Sequence, residues 1–468
     1  MASAVGCSPM RNGSPLSWPV ADLVSTFAAG EVSPVEVTEL ALAEISDRDD
    51  EVGAFVHVAA ELARDQARAA EAAYRDGSAG PLAGVPISIK DAFHVRGEPT
   101  GLGSLVHTGQ VSKGDSGVVR RLRAAGAVFV GKTNTAEFGQ SATCENELDV
   151  VTGNPWRLSH TPGGSSGGAA ASVAAGMVGV AIGSDGGGSV RIPAAFTGVF
   201  GFKPTFGFCP DEYGFRGMTR FVTPGPLTRH VDDARRVLSV LSEQDLVRSG
   251  PRTLRIGVCT RPEGRPVHPG IEAAVTEVAR HLADLGHEVT TAEPDLSGWA
   301  DIFGPLVLED EHRERGHLLK WLADKLTSYE RSTLRAAQHL DVEAVLRAEE
   351  GLLAFRSRID GFFGTVDVLL TPAIATPAFE IGERPTEIAG HPVDRLWGPF
   401  PFAAPFNVAG TPAASLPAGL VDGLPVAVQL VAARGQDALV LDVAEALQSD
   451  FGIPDVAPIA AGRTAPAS

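Results

Sequence analysis

Cysteine is scarce in this chain. Only four occur among 468 residues, Cys7, Cys144, Cys209 and Cys259, and none forms a C-x-x-C pair. That spacing argues against a zinc ribbon and against a disulfide framework. Idle or buried thiols in a reducing, cytoplasmic compartment are expected instead. Long apolar runs are also missing. The longest, residues 169–182, is broken by Ser172, Gly176 and Gly179 and is too short to span a bilayer. The first residues, MASAVGCSPMRNGS, carry no apolar core of a secretory signal; they are serine-bearing and acid-free, yet too short to be read as a transit peptide. Positive charge is in deficit. With 39 Lys+Arg against 57 Asp+Glu the net charge is −18, so neither a nucleic acid nor an anionic membrane is an expected partner.

The remaining composition is that of a globular protein rather than a disordered one. Hydrophobic residues make up 44% and charged residues 21%, with 53 glycines and 33 prolines pointing to many loops and close backbone approaches. The length suits one large domain or two to three ordinary ones. Ser33-Pro34-Val35-Glu36 reads as a capping box opening a helix whose inner face carries Val37, Leu40, Ala41 and Ile45. PLAGVPISIKD (81–91) holds a short strand ending at Lys90. SGVVRRLRAA (116–125) is an amphipathic helix stopped by Gly126, and AVFVG follows as a strand. Strand and helix alternate again in LRIGV, residues 271–286 and HEVTTA, and once more in PVAVQLVA and DALVLDVAEALQ. This alternation predicts a single α/β domain over residues 21–453, preceded by an extension (1–20) and followed by a loose Pro/Ala-rich tail (454–468). The stretch from about 251 to 350 is expected at the edge of that domain.

Two motifs compete for the chemistry. GAVFVGKT (126–133) matches the phosphate-loop pattern, in which backbone N–H groups and a lysine, here Lys132, hold a nucleotide. Such a loop needs a strand before it and a helix after it, whereas here a helix precedes Gly126 and the four free positions are apolar strand formers. GGSSG (163–167) matches a nucleophile elbow, but the preceding RLSHTP is polar and proline-stopped, not a strand. A second glycine run is better placed. MVGVAI is a buried strand, and GSDGGGS leaves its end with three glycines directly before Ser189. Such a turn can aim several N–H groups at one developing negative charge. A serine nucleophile needs a base. No histidine lies nearby in sequence, and Lys90 is the best alternative, because burial lowers a lysine's pKa and lets it accept a proton.

Together these segments resemble the amidase signature family. PLAGVPISIKD, AAGAVFVGKTNTAEFG, NPW, PGGSSGG, GSDGGGSVRIPAAFTGVFGFKPT and PFNVAGTPAASLPAG with GLPVAVQLV stand in the family's order over roughly residues 23–448. The resemblance implies a large mixed, mostly parallel β-sheet sandwiched by helices. It implies a Ser-cisSer-Lys triad with Ser189 as nucleophile, Ser165 as the bridging serine after a cis bond from Gly164, and Lys90 as base. Backbone N–H groups of Gly186, Gly187 and Gly188 would form the oxyanion hole, supported by Ser166, Asp185 and Arg191, the last two as an ion pair. The strand and turn of the GKTN block would carry Asn134 and Glu137 toward the triad loops. No cofactor and no metal are implied; the partners are a small-molecule amide and water, and a homodimer is compatible with this. Two positions depart from the family pattern. Gly186 stands where a branched or polar residue is usual, which should loosen the loop and widen the acyl pocket, and His160 stands where arginine is usual. Within the family, the glutamine-hydrolysing A subunit of tRNA-dependent amidotransferases is the alternative, although its tyrosine- and glycine-rich stretch is not seen. A phosphate-loop nucleotide-binding protein is the alternative of another class.

Overall fold

The computed structural model describes residues 13–250, 252–451, 453–454 and 456–458. Its strands are β1 (Phe55–Val58), β2 (Pro86–Lys90), β3 (Val128–Thr133), β4 (Val180–Asp185), β5 (Phe200–Lys203), β6 (Thr223–Thr228), β7 (Arg255–Val258), β8 (Glu288–Thr291), β9 (Val368–Pro372), β10 (Glu387–Ile388), β11 (His391–Pro392), β12 (Ala413–Val421) and β13 (Leu424–Ala432). Eleven of them share one sheet in the order β1-β3-β2-β4-β6-β5-β12-β13-β9-β7-β8, and β10 and β11 form a separate ribbon.

The sheet is mixed, as expected, but parallel pairing is confined to its two wings. β3-β2-β4 and β9-β7-β8 are parallel, giving four parallel pairings against six antiparallel ones. The expectation of mostly parallel pairing is corrected on this point. One physical reason is local: β12 and β13 are joined only by Asp422 and Gly423, too short a connection for anything but a hairpin.

Side-chain alternation covers both faces. Phe129 packs on one side and its neighbours Val128 and Val130 on the other; Val180 and Ile182 oppose Ala181 in the same way, as Val368 and Leu370 oppose Leu369. Helices Gly117–Ala124, Val231–Ser242, Pro269–Asp284 and Asp437–Gln448 cover the first face. Helices Pro34–Val52 and Gly167–Ala174 cover the second at one wing, and Trp299–Arg315 and Val342–Phe362 at the other. A sheet buried on both faces reads in sequence as continuous apolar runs, which is why AVFVG, MVGVAI and PVAVQLVA stood out.

The local signals behave as their chemistry dictates. Ser33 Oγ accepts from Glu36 N–H while the Glu36 carboxylate accepts from Ser33 N–H, and the helix starts at Pro34. Val37, Ala41 and Ile45 are buried on its inner face and Leu40 is half-buried. Gly126, at φ +86°, ends the helix before β3 in a conformation that side chains resist. The 251–350 stretch supplies β7 and the edge strand β8. The described start of the tail is less loose than expected, and the described end of the N-terminal extension is likewise tied to the domain. Leu16 is buried and Val20 N–H donates to Asp233 at 2.7 Å, while Ala457 is buried and donates its N–H to Ala174 O at 2.9 Å. Residues 1–12 and 459–468 of the expected extension and tail, Cys7 among them, lie outside the described residues. Cys144, Cys209 and Cys259 are buried free thiols. Among the described residues no helix is long and apolar enough to cross a membrane.

Candidate active site

The parallel wing β3-β2-β4 delivers its strand ends to one place. Ile89 of β2 stands in register with Lys132 of β3 and Ile182 of β4, so Lys90, Asn134 and Ser184-Asp185 emerge together at the carboxyl edge. That edge is where open α/β sheets bind ligands.

Lys90 has no solvent exposure. Its Nζ lies 2.7 Å from Ser165 Oγ and 2.9 Å from Ser184 Oγ. Burial pulls its pKa from the usual 10.5 down to about 7, against the opposing pull of the Asp185 carboxylate. Ser165 is buried too, and the Gly164–Ser165 peptide bond is cis, as the resemblance implied. Ser189 is the outermost of the three: it lines a cavity of about 390 Å³ whose lining includes neither Ser165 nor Lys90.

Ser166 joins the two loops. Its N–H donates to Ser189 O at 3.2 Å, and its Oγ bonds the Ser184 carbonyl at 3.2 Å. The loop before Ser189 is clamped from below by Asp185. One carboxylate oxygen accepts Gly188 N–H at 2.8 Å and the other Val190 N–H at 3.2 Å. Arg191 reaches the same carboxylate through Nε and Nη2, both at 2.9 Å. Burial alone would raise the Asp185 pKa, but Arg191 more than offsets it and holds the carboxyl well below the usual range. Asn407 accepts from Arg191 at 2.6 Å and Gln429 at 2.7 Å, and Asn407 also donates to Asp185.

Gly188 therefore differs from expectation. Its N–H is taken by Asp185, so it is not free to meet a substrate oxygen. Gly186 and Gly187 N–H groups have no protein acceptor among the described residues. Gly188 is required for another reason: at φ +121°, an added Cβ would stand 2.6 Å from both Ala403 Cβ and Ile192 Cδ1. The departure at Gly186 does not widen the pocket either, since Met218 fills the vacated space, its Sδ 2.5 Å from where a Cβ would stand. His160, hydrogen-bonded to Ser159 Oγ, is not among the cavity-lining residues.

The lysine of the phosphate-loop pattern is spent inside the fold. Lys132 Nζ donates to Asp91 at 2.7 Å and to Pro99 O and Thr100 Oγ1 at 2.9 Å each, which exhausts its three protons. No helix follows: Thr133 is still in β3. Of the two residues expected to approach from this block, Asn134 O accepts from Gly168 N–H, and Ala136, two positions on, donates its N–H to Ser165 O at 3.3 Å. Glu137 instead accepts from Ser104 Oγ and Thr327 N–H, bracing a neighbouring loop.

Ser184, Asn407 and Gln429 were not singled out from the sequence. A signal existed for two of them, since Asn407 and Gln429 interrupt apolar runs and a buried amide demands partners.

The amidase family model matches residues 36–441. The chain belongs to the amidase family. AmiB2 of Mycobacterium bovis, which bears an amidase name, is 37% identical, the match covering 90% of this chain and 94% of that protein. The A subunit of the glutamyl-tRNA(Gln) amidotransferase of Symbiobacterium thermophilum is 35% identical, with the match again covering 90% of this chain and 94% of the other. A bacterial aryl acylamidase of the amidase signature family superposes with a TM-score of 0.87 at 29% identity, covering 97% of this chain and all of the other. As a family member this amidase is an amide hydrolase, with the mixed helix-flanked sheet its structural neighbours share.

Proposed function

We propose that this amidase cleaves a small-molecule amide, or a related hydrazide, carbamate or ester, through an acyl-enzyme on Ser189. The observation that carries the reading is the buried Lys90, 2.7 Å from Ser165 Oγ and poised to be neutral near pH 7. Neutral Lys90 draws a proton from Ser165 as Ser165 takes one from Ser189. Ser189 Oγ attacks the carbonyl carbon, and the carbonyl oxygen gathers negative charge against Gly186 and Gly187 N–H. Ser165 then protonates the departing amine, and water hydrolyses the ester by the same relay in reverse. Asp185 and Arg191 hold the loop in place. No cofactor or metal enters this scheme.

A fluorophosphonate probe tests it. Wild-type chain is expected to be labelled and Ser189→Ala not; labelling that survives in Ser189→Ala but vanishes in Ser166→Ala refutes the assignment. A second reading, glutamine hydrolysis within a tRNA-dependent amidotransferase, draws on the 35% identity to the A subunit of one. Against it stands a cavity lining that, among the described residues, holds no Asp, Glu, Lys, Arg or His to meet the charged ends of an amino acid. Assay of glutamine beside aliphatic amides, anilides, hydrazides, carbamates and esters separates the two.

A further inference from the structure

The cavity that reaches Ser189 and Gly187 is walled by rings. Trp299, Phe303 and Trp397 pack edge to face on one another with centroids 6.2, 5.6 and 5.7 Å apart. Phe303 and Trp397 stand directly over the glycine loop: an added Cβ on Gly187 would meet Phe303 Cζ at 3.1 Å and Trp397 Cη2 at 3.6 Å. The fourth element is Met218, which lines the same cavity and covers Gly186. Met218 is fixed by its backbone. It adopts φ +49°, and its carbonyl accepts N–H groups of Phe221 and Val222 at 2.8 Å each. The next residue, Thr219, donates from its N–H and Oγ1 to Asp310, on the helix that also carries Phe303.

We propose that this chamber receives the acyl part of the substrate, that the acyl group is uncharged and aromatic or bulky apolar, and that Met218 sets its upper size. The inference rests on reading Ser189 as the nucleophile and goes beyond it by naming the substrate class and a specificity-determining residue. Among the described residues no charged side chain lines the chamber, and Arg384 reaches it only through the hydroxyl of Ser141 at 2.5 Å, so a charged acyl group would lose its water without a direct counter-charge. An aryl group meets ring edges and faces in the geometry aromatic pairs favour. Gly186 removes a side chain from the loop, and a thioether side chain from a different segment takes that space. A flexible, polarisable methionine makes a soft stop that shapes itself to flat groups.

The test is a series of anilides assayed on the full chain: acetyl, butanoyl, benzoyl, 4-tert-butylbenzoyl and succinyl, with glutamine alongside. Wild type is expected to favour benzoyl over acetyl in kcat/KM by roughly tenfold or more, with succinyl and glutamine poorest. Met218→Ala should raise 4-tert-butylbenzoyl relative to benzoyl by roughly tenfold, mainly through KM, and Met218→Phe should lower benzoyl relative to acetyl by a similar factor. Succinyl or glutamine outrunning benzoyl in wild type overturns the proposal. So does a size ranking that stays fixed in both variants. Failure of wild type to form a Ser189 adduct with fluorophosphonate instead removes the reading beneath it.

Discussion

Asp185 and Arg191 stand six positions apart, on either side of Ser189, and form an ion pair at 2.9 Å in which neither side chain touches solvent. The short loop between them is pinned at both ends to one carboxylate, and Asn407 and Gln429 saturate the outer faces of the pair.

Breaking this pair from one side leaves a buried charge uncompensated. Arg191→Met is expected to cost about 3–5 kcal/mol of stability, read from denaturant unfolding, and to slow fluorophosphonate labelling because Gly188 and Val190 lose a positioned acceptor. An unfolding midpoint equal to wild type would remove Asp185–Arg191 from its structural role.

The pH profile follows from Lys90. Its folded value of about 7 lies below the ordinary 10.5, so the folded enzyme releases this proton first and the neutral amine accumulates as pH rises through 7. Accordingly kcat/KM should climb through an apparent pKa near 7 and then level, and Lys90→Ala should lose roughly 10²–10⁴-fold in kcat. A flat profile between about pH 6 and 9 counts against lysine as the base.

Glu330 offers a stability test on the pocket wall. It stands in the first turn of the helix Ser328–Gln338, whose Ser332, Thr333 and Ala336 line the cavity, and it is fully buried with no donor to either carboxyl oxygen among the described residues. Burial, reinforced by the Glu311 carboxylate and only partly opposed by Arg315, raises its pKa well above 4.5. The folded state thus keeps a proton that the unfolded chain gives up, and stability falls as pH climbs from 4.5 toward the raised value. Glu330→Gln should melt roughly 2 °C or more above wild type at pH 8, with the gap closing near pH 4.5. Parallel melting curves at both pH values would show that Glu330 carries no such penalty.

Lys132 separates the hydrolase from a nucleotide-binding reading. Lys132→Ala should unfold about 3–5 kcal/mol more readily, because it strands the buried Asp91 carboxylate. ATP with magnesium should leave the melting temperature of wild type where it was. A nucleotide-dependent rise that disappears in the variant would revive the phosphate-loop alternative.

Much of the site was legible before any tertiary structure. The capping box at Ser33, the helix stop at Gly126 and the strand end at Lys90 are set by residues close in sequence, so pattern alone places them; the strand read at 177–182 instead runs from Val180 to Asp185. The family blocks then join Lys90, Ser165 and Ser189, which lie far apart along the chain. Gly188 was legible as an indispensable glycine but not in its role, since Asp185 takes the N–H that pattern assigns to the substrate. Gly186 looked like extra room, and only the fold brings Met218, from a separate loop, into that room.

By itself, then, the sequence determined the alternating α/β elements and the apolar strands buried on both faces, while its family resemblance proposed Lys90, Ser165 and Ser189 for the site. The elements and strands depend on local periodicity and on side-chain chemistry, which travel with the chain. The tertiary structure alone decided that the central ladders run antiparallel, that Lys132 spends its charge on Asp91, and that Trp299, Phe303, Trp397 and Met218 converge on Ser189. Those outcomes are set by which distant segments pack together, and packing between distant segments leaves no periodic trace in either of them.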